Sequence, residues 1–304
     1  MKRLKILLFV TICLLFIEPV NAQQTSIYSQ YMFNEYMINP AIAGTSNYFQ
    51  LRGNFRTQWS KIDGGPQTFS ISGYGPFKER TMGYGGYIYN DITGPESRMS
   101  LGGTYTYNMK ITDDWRISGG ISFGMFQYKL DRSQLYYDSE VFDPVMLSSD
   151  DTKIMLDATA GLYAWTNFYY VGLSAHQLLG NKYSLYDSDT INIQGASRLT
   201  QHVYLSGGAW FGLTKEFTIT PSVLLKYSAP GIVQFEINAT TTYKGIAWFG
   251  LSYRTSDAIA VMAGYNYENM ISLGIAYDIT TSAIRQYAGS TIEVMLIYKF
   301  NDIK

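Results

Sequence analysis

Residues 233–240 read VQFEINAT, and this stretch decides the fold class because apolar and polar residues alternate strictly along it. The alternation runs from Val233 and Gln234 to Ala239 and Thr240. Successive side chains of a strand point to opposite faces, so one face of this strand suits hydrocarbon and the other suits water. Segments of about ten residues with the same alternation recur to the end of the chain, which is typical of a transmembrane barrel.

We place about fourteen such segments, and bacterial outer-membrane barrels have an even number of strands. Strands of a soluble sandwich are shorter, about 5–6 residues, whereas membrane strands need about 9–11. The sequence therefore predicts an all-β fold: a single transmembrane antiparallel β-barrel with a short N-terminal helical or plug segment. The predicted strands are 48–59, 67–76, 82–90, 97–110, 115–129, 153–165, 168–178, 199–213, 216–228, 232–243, 246–255, 258–267, 271–279 and 291–300.

Every second junction between these strands is tight, and most of the others are longer and rich in Asp, Ser, Tyr and Gly. Outer-membrane barrels have short periplasmic turns and mostly longer external loops. This order of tight and longer junctions agrees with a chain whose two ends both lie in the periplasm. The longer junctions are 92–96, 131–152, 180–197 and 280–290, whereas 229–231 and 256–257 are short.

Composition excludes several classes of protein. The 23 basic and 24 acidic residues nearly cancel, which gives no electrostatic basis for binding nucleic acid. Aromatic residues make up 16% of the chain, with 27 tyrosines, as expected of strands at a membrane interface. Beyond the N-terminal leader no stretch reaches the roughly 20 apolar residues of a membrane helix.

The first residues have the pattern of an export signal. Basic residues precede an apolar run over 6–17, and small residues lead up to Ala22. We predict a signal peptide of residues 1–22 and a mature chain that begins at Gln23. The only cysteine, Cys13, lies in the leader, so disulfides, thiol catalysis and thiolate metal sites are excluded from the mature protein.

Residues 26–44 do not alternate like a strand. Their apolar residues have a spacing that predicts one helical face, and Asn39-Pro40 is expected to terminate it. We predict that residues 23–47 form a plug in the lumen or a periplasmic segment below it. A lead-in that only contributes stability is the alternative. The apolar residues of the predicted face are Tyr28, Met32, Phe33, Tyr36 and Met37.

Motifs in this segment and beyond it carry a family resemblance. They are Gln30-Tyr31-Met32-Phe33-Asn34, Asn39-Pro40-Ala41, Ala43-Gly44, Arg52, Gln58-Trp59 and Gly65-Pro66, then Gly83, Gly85, Asn90-Asp91, Gly94-Pro95, Gly172-Leu173-Ser174, His176 and Leu178. From end to end the mature chain resembles the PorP/SprF family of outer-membrane proteins. It departs from the family pattern at Glu35, where Pro is expected, and at Ile42, where an aromatic residue is common.

The resemblance implies a place in the cell outer membrane of Bacteroidota, within the type IX secretion and gliding apparatus. Such barrels are thought to help particular secreted proteins, such as adhesins, leave the cell or stay attached to it. The implied partners are outer-membrane lipid, type IX secretion or gliding components, and a secreted or surface-attached protein. The alternative is a diffusion channel or a hydrophobic-solute transporter.

Two groups of residues are candidates for plugging or for partner binding. The first is the N-terminal motif, and the second is a pair of loops, 131–152 and 180–197, whose aromatic side chains would serve as anchors of the kind that dominate interfaces. The named candidates are Tyr31, Met32, Phe33, Asn34, Asn39, Pro40 and Gly44 in the motif, and Tyr136, Tyr137 and Phe142 in the first loop.

Polar residues on the first strand are predicted to face the lumen. Arg52, Asn54, Arg56 and Gln58 alternate with apolar residues there. They would pair with acidic or plug groups, or would set the selectivity of a channel. We favour pairing, because a lumen of about fourteen strands is narrower than that of a 16–18-stranded porin and an N-terminal segment can close it.

Catalytic and metal chemistry have little support. Only His176 and His202 follow the leader, and Ser174 lies two residues before His176, on the face opposite the apolar Leu173. We predict a hydrogen-bonded lumen pair rather than a surface lipase, since no G-x-S-x-G motif is present. The sequence therefore predicts a protein that is not an enzyme and has no cofactor.

Two acidic loop segments have oxygen-bearing side chains that calcium prefers. The spacing of an EF-type calcium loop is missing, so solvated loop charge is the favoured interpretation. No metal site is predicted. The residues concerned are Asp138, Glu140 and Asp143, and Asp187, Ser188, Asp189 and Asn192.

Overall fold

The computed structural model describes residues 28–77, 81–135, 152–183, 197–229 and 231–300, which are almost entirely strand and connecting turn. The strands are β1 (Phe49–Thr57), β2 (Gln67–Phe77), β3 (Met82–Thr93), β4 (Glu96–Lys110), β5 (Arg116–Leu130), β6 (Thr152–Trp165), β7 (Tyr169–His176), β8 (Lys182–Tyr183), β9 (Ser197–Arg198), β10 (His202–Ala209), β11 (Phe211–Gly212), β12 (Phe217–Ser228), β13 (Ile232–Tyr243), β14 (Ala247–Arg254), β15 (Ala258–Tyr267), β16 (Ile271–Thr280) and β17 (Thr291–Phe300).

The sheet closes on itself. Sequential strands pair antiparallel, β1 also pairs with β17, and β10 pairs with both β7 and β12. β10 and β11 are two parts of one wall strand, so the described residues form a closed antiparallel barrel of fourteen strands. The fold class predicted from the alternation is confirmed. Closure removes the unpaired strand edges, which lipid cannot satisfy.

The barrel wall has an apolar exterior and a largely polar interior. On β16, the outward side chain of Ile275 is 54% exposed, whereas its neighbour Ala276 is 1% exposed. The same strand turns Ser272 and Asp278 inward, where both are buried. The outward face is therefore suited to hydrocarbon. No helix within the described ranges is long and apolar enough to cross a membrane.

The two ends of the barrel differ in their connections. At one end, here called the turn end, neighbouring strands are joined by a few residues, as between β13 and β14 or β15 and β16. At the opposite end, the loop end, the connections include 58–66, 131–151, 177–201 and 281–290. Exposed aromatic side chains encircle the turn end, as at a membrane interface. They include Tyr107, Trp115, Phe168, Tyr169, Tyr243, Tyr267 and Phe300.

Two of the predicted strands are shortened or interrupted where the backbone leaves the wall. The strand predicted at 168–178 ends at His176, because Gln177 has a φ of 56° and turns the chain out of the wall. The strand predicted at 199–213 begins at His202 and is interrupted at Trp210. The Trp210 ring packs on Tyr170, with centroids 5.2 Å apart. The small β8–β9 ladder lies in the loop between β7 and β10.

The N-terminal segment is not one helix. It forms three separate 3-10 turns, Tyr31–Phe33, Glu35–Met37 and Pro40–Ile42. Asn39-Pro40 begins the third turn rather than terminating a helix, because the Asn39 side chain accepts a hydrogen bond from the N–H of Ala41 (3.0 Å) and caps the turn. This corrects the expectation of a single apolar helical face.

A one-turn helix, α1 (Arg285–Ala288), lies in the last loop. Its Ala288 carbonyl accepts from the N–H of Lys61 at 3.2 Å, and the carbonyl of Ser290 accepts from the N–H of Ser60 at 3.0 Å. The loop 281–290 therefore packs against the loop 58–66 at the loop end.

Candidate functional site

The N-terminal segment runs through the lumen from one end of the barrel to the other. Ser29 is bound to Asp278, two residues before the loop end of β16. The carbonyl of Gly44 accepts from the side chain of Asn108 at 2.6 Å, two residues before the turn end of β4. We call residues 28–48 the plug, since they occupy the space inside the wall before β1 begins.

Near the loop end, the plug is held at Ser29. The backbone N–H of Ser29 donates to Glu293 at 2.7 Å, and its hydroxyl donates to Asp278 at 2.7–2.8 Å. The same hydroxyl oxygen accepts from Arg56 at 2.8 Å and from Arg254 at 3.1 Å. One serine therefore connects the plug to β1, β14, β16 and β17.

These wall residues form a buried charge cluster of Arg56, Arg254, Glu236, Asp278 and Glu293. Arg56 lies 2.8 Å from Asp278 and 3.2 Å from Glu293, and Arg254 lies 2.8 Å from Glu236. All five side chains are nearly inaccessible to solvent. Charges buried to this degree are tolerated when each is paired and hydrogen-bonded. Arg56 is thus placed against both acidic groups and the plug.

In the middle of the lumen, polar side chains of the plug bond to inward polar residues. The Tyr31 hydroxyl accepts from Asn238 at 3.0 Å and donates to Ser222 at 3.4 Å. Asn34 donates to Asn54 at 2.7 Å. Met32 and Phe33 pack in an apolar cluster on the wall, where the Phe33 ring lies 4.2 Å from that of Trp248.

On the β7 side of the lumen, Ser174 and His176 both bind the plug. The Ser174 hydroxyl donates to the carbonyl of Ile38 at 2.7 Å, and Nε2 of His176 contacts the same oxygen. Asn39 donates to the carbonyl of Leu162 at 2.9 Å. The Ser174 proton is therefore directed to the plug and not to the histidine.

Glycines let the plug approach the wall closely. A Cβ atom on Gly83 would lie 2.3 Å from the Cα of Gly44, and one on Gly120 would lie 2.5 Å from the backbone N of Ala41. Both contacts involve backbone atoms, which cannot move aside by a rotamer change. Pro40 and Ala41 therefore fit against β5 only because position 120 has no side chain.

We expect Gly120→Ala to lower the free energy of unfolding by about 1–3 kcal/mol, the usual cost of overpacking. The adjacent Gly119→Ala is the matched control, since its Cβ would have only one ordinary contact, with Leu162 at 3.8 Å. Urea unfolding of both variants in detergent, followed by tryptophan fluorescence, measures the difference. Equal stability of the two variants would show that the plug does not press on β5.

The remaining predicted residues lie apart from these contacts. Arg52 donates to Gln50 at 2.7 Å and stacks over the ring of Tyr74, 5.5 Å away. Gln58 is not on the first strand, which ends at Thr57; its backbone N–H bonds to Pro66 in the first loop. Tyr136, Tyr137 and Phe142, and the acidic residues 138–143 and 187–192, lie outside the described residues.

At the start of the 131–151 loop, Asp131 is described. Its carboxylate accepts from the hydroxyl and N–H of Ser133 and from Gln134, and these hydrogen bonds hold the pKa of Asp131 below its ordinary value. Within the described ranges, no group of three or more His, Asp or Glu residues is arranged to hold a metal ion.

Sequence reasoning did not identify the acidic partners of Arg56 or the role of Ser29. The alternation places Glu236 and Asp278 on the lumen face, which is the signal that was available. It does not indicate which inward residues meet across a closed barrel.

Comparisons with known proteins agree with this architecture. Among solved structures, the chain is similar to the "CymD monoaromatic hydrocarbon channel", with 12% identity and a TM-score of 0.51, over 93% of this chain and 96% of that one. It is also similar to the "TodX deltaS2S3 mutant monoaromatic hydrocarbon channel", with 10% identity and a TM-score of 0.51, over 88% and 94%. At these identities the likeness concerns the fold alone.

A search of the curated proteins returned no match. A family model described as "Type IX secretion system membrane protein PorP/SprF" matches residues 20–298. This range includes the whole plug and all but the last two residues of β17. The protein is located in the outer membrane, in agreement with the apolar exterior of the barrel. The chain belongs to the PorP/SprF family of type IX secretion system membrane proteins.

Proposed function

We propose that this barrel is a plugged component of the type IX secretion and gliding machinery, which supports the export or surface attachment of a partner protein such as an adhesin. The main support for this proposal is the plug, which is bonded to the wall at both ends of the lumen, through Ser29 and through Gly44. A lumen filled in this way favours a docking role over free diffusion. The barrel then acts without catalysing a reaction.

The loop end is proposed to face the cell exterior, since long loops of such barrels are external and tight turns periplasmic. The loops 131–152 and 180–197 are the proposed docking surface, with Tyr136, Tyr137 and Phe142 as anchors. The signal peptide of residues 1–22 delivers the chain across the inner membrane of a member of the Bacteroidota. Type IX components bind from the periplasmic side.

A photo-crosslinking amino acid at position 137 in native outer membranes tests this proposal. We expect adducts with a secreted or surface-attached protein, and loss of that protein from the cell surface when the gene is deleted. The matched control is the same crosslinker at Phe168, which is exposed at the turn end. An unchanged set of surface proteins in the deletion strain, together with no adduct from position 137, would refute the docking role.

The second candidate is a channel for hydrophobic solutes. It is favoured by an aromatic-lined cavity of about 110 Å³ beside the plug. Uptake of radiolabelled toluene by cells with and without the gene distinguishes the two functions. A channel predicts slower uptake in the deletion strain, whereas a docking component predicts equal uptake.

A further inference from the structure

Tyrosine and phenylalanine rings form a large part of the lining of the cavity beside the plug. It lies on the side of the barrel formed by β3 to β7 and β10, and the plug residues Met37, Ile38 and Pro40 also line it. A smaller cavity of about 40 Å³ shares residues Phe126 and His202 with it and extends to the loop end. The aromatic side chains that line the main cavity are Tyr28, Tyr36, Tyr87, Tyr89, Phe126 and Tyr204.

One carboxylate lines this cavity. Asp157 on β6 is only 9% exposed. Among the described residues, its one hydrogen bond comes from the N–H of the adjacent Ala158, at 2.8 Å, and no described cation pairs with it. In the charge cluster, by contrast, Asp278 and Glu293 both lie against Arg56. Asp157 therefore has hydrogen-bonding capacity directed at the cavity.

The two histidines of the cavity have protein partners. His176 binds the carbonyl of Ile38, and Nδ1 of His202 lies 3.2 Å from the side-chain oxygen of Gln177. These contacts fix both rings at the cavity wall. Asp157 is consequently the acidic group in the main cavity that is positioned to receive a ligand.

Aromatic rings combined with a carboxylate favour a cation. An ammonium group within about 6 Å of a tyrosine ring is attracted by its π face, more strongly when water is excluded. A pure hydrocarbon would contact the same rings, but it would remove water from Asp157 and supply no replacement, which costs free energy and makes it the weaker ligand. A primary ammonium supplies the missing donors and the opposite charge.

We propose that this cavity binds an organic cation, a primary ammonium carried on an apolar or aromatic body, with Asp157 as its counter-ion and the tyrosines around it. A free amine and a lysine side chain of a polypeptide share this chemistry. The site goes beyond the proposed docking function and does not depend on it, since its residues lie in the lumen and not in the loops 131–152 and 180–197.

Isothermal titration of the purified protein in detergent tests the site with phenethylammonium and with its neutral counterpart 2-phenylethanol. We expect phenethylammonium to bind at least about tenfold more tightly. Asp157→Asn should abolish this preference, whereas Glu216→Gln, which removes a carboxylate at the turn end, should leave it unchanged. Heat-modifiable electrophoretic migration verifies that each variant is folded.

A third probe, the peptide N-acetyl-Phe-Lys-amide, separates the two sources of the ammonium. Displacement of phenethylammonium by the peptide supports a polypeptide ligand, and displacement by small amines alone supports a free amine. Equal affinity for phenethylammonium and 2-phenylethanol in the wild type, or no binding of any probe, would overturn the proposal. The wild-type comparison decides the matter even if Asp157→Asn fails to fold.

Discussion

Replacing Arg56 by methionine is expected to lower the free energy of unfolding by about 3–5 kcal/mol, the cost of breaking a buried ion pair from one side. The Arg56 guanidinium is 2.8 Å from Asp278 and 3.2 Å from Glu293, and all three side chains are buried. Its removal leaves two carboxylates in a medium that screens them poorly. It also removes a hydrogen bond to Ser29 and so weakens the loop-end attachment of the plug.

Urea unfolding in lipid vesicles, with fluorescence detection, measures this effect. Lys110→Met is the control, because the Lys110–Asp113 pair is exposed at the turn end and such pairs contribute little. The double variant Arg56→Met/Glu293→Gln should recover part of the loss, since one uncompensated charge is removed with its partner. Equal stability of Arg56→Met and Lys110→Met would contradict the buried cluster.

Replacing Ile275 by lysine is expected to cost about 2–4 kcal/mol, the penalty measured for a cation on the lipid face near the bilayer midplane. Ile275 lies at the middle of β16 and points outward. A lysine there must hold its ammonium in hydrocarbon or bend its side chain toward the interface. The penalty depends on depth, so it reports the position of the barrel in the membrane.

Tyr267→Lys supplies the matched comparison, because Tyr267 is also exposed but lies at the turn end of β15. We expect a cost of about 0–1 kcal/mol there, as near the membrane interface. Both variants are unfolded by urea from vesicles of the same lipid. If the two substitutions had equal effects, the outward face of β16 would not lie in hydrocarbon.

The barrel wall was predictable because each strand carries its own signal. Alternation along 233–240 reflects the side-chain period of a strand between lipid and lumen, and it requires no knowledge of distant residues. The fourteen strands and the order of tight and long junctions follow from such local patterns. The errors lie where the backbone departs from regular pairing, as at Gln177, where φ is 56°, and at the interruption at Trp210.

The lumen was much less predictable, because its contacts join residues that are far apart in the chain. Arg56 and Asp278 are separated by 222 positions and meet only when β1 pairs with β17 and closes the barrel. The plug forms 3-10 turns instead of the predicted helix, because many of its polar groups form hydrogen bonds with the wall and not with other residues of a helix. The Asn39 cap on the third turn is an example.

No pattern in the sequence indicates that Asp157 lines a cavity. An aspartate on the lumen face of a strand is ordinary in a barrel, because the interior of such barrels is polar. Its lack of a cationic partner among the described residues becomes visible only when the plug and the surrounding rings are placed in space.

The plug has a consequence for any transport through this barrel. Because Ser29 is bonded to four wall strands and Gly44 packs on Gly83, opening the lumen would require breaking the hydrogen bonds of Ser29 to the buried cluster and withdrawing the segment. Hydrogen bonds to charged groups contribute about 1.5–3 kcal/mol each, so the loss of several of them is costly. The lumen is therefore expected to stay closed without a partner that offsets this cost.

Single-channel recording in planar bilayers tests the plugged lumen most directly. The intact purified protein should show no stepwise current, and a variant lacking residues 28–44 should conduct in discrete steps once its folding has been verified by heat-modifiable migration. Stepwise currents from the intact protein, unchanged by removal of residues 28–44, would contradict the plugged barrel.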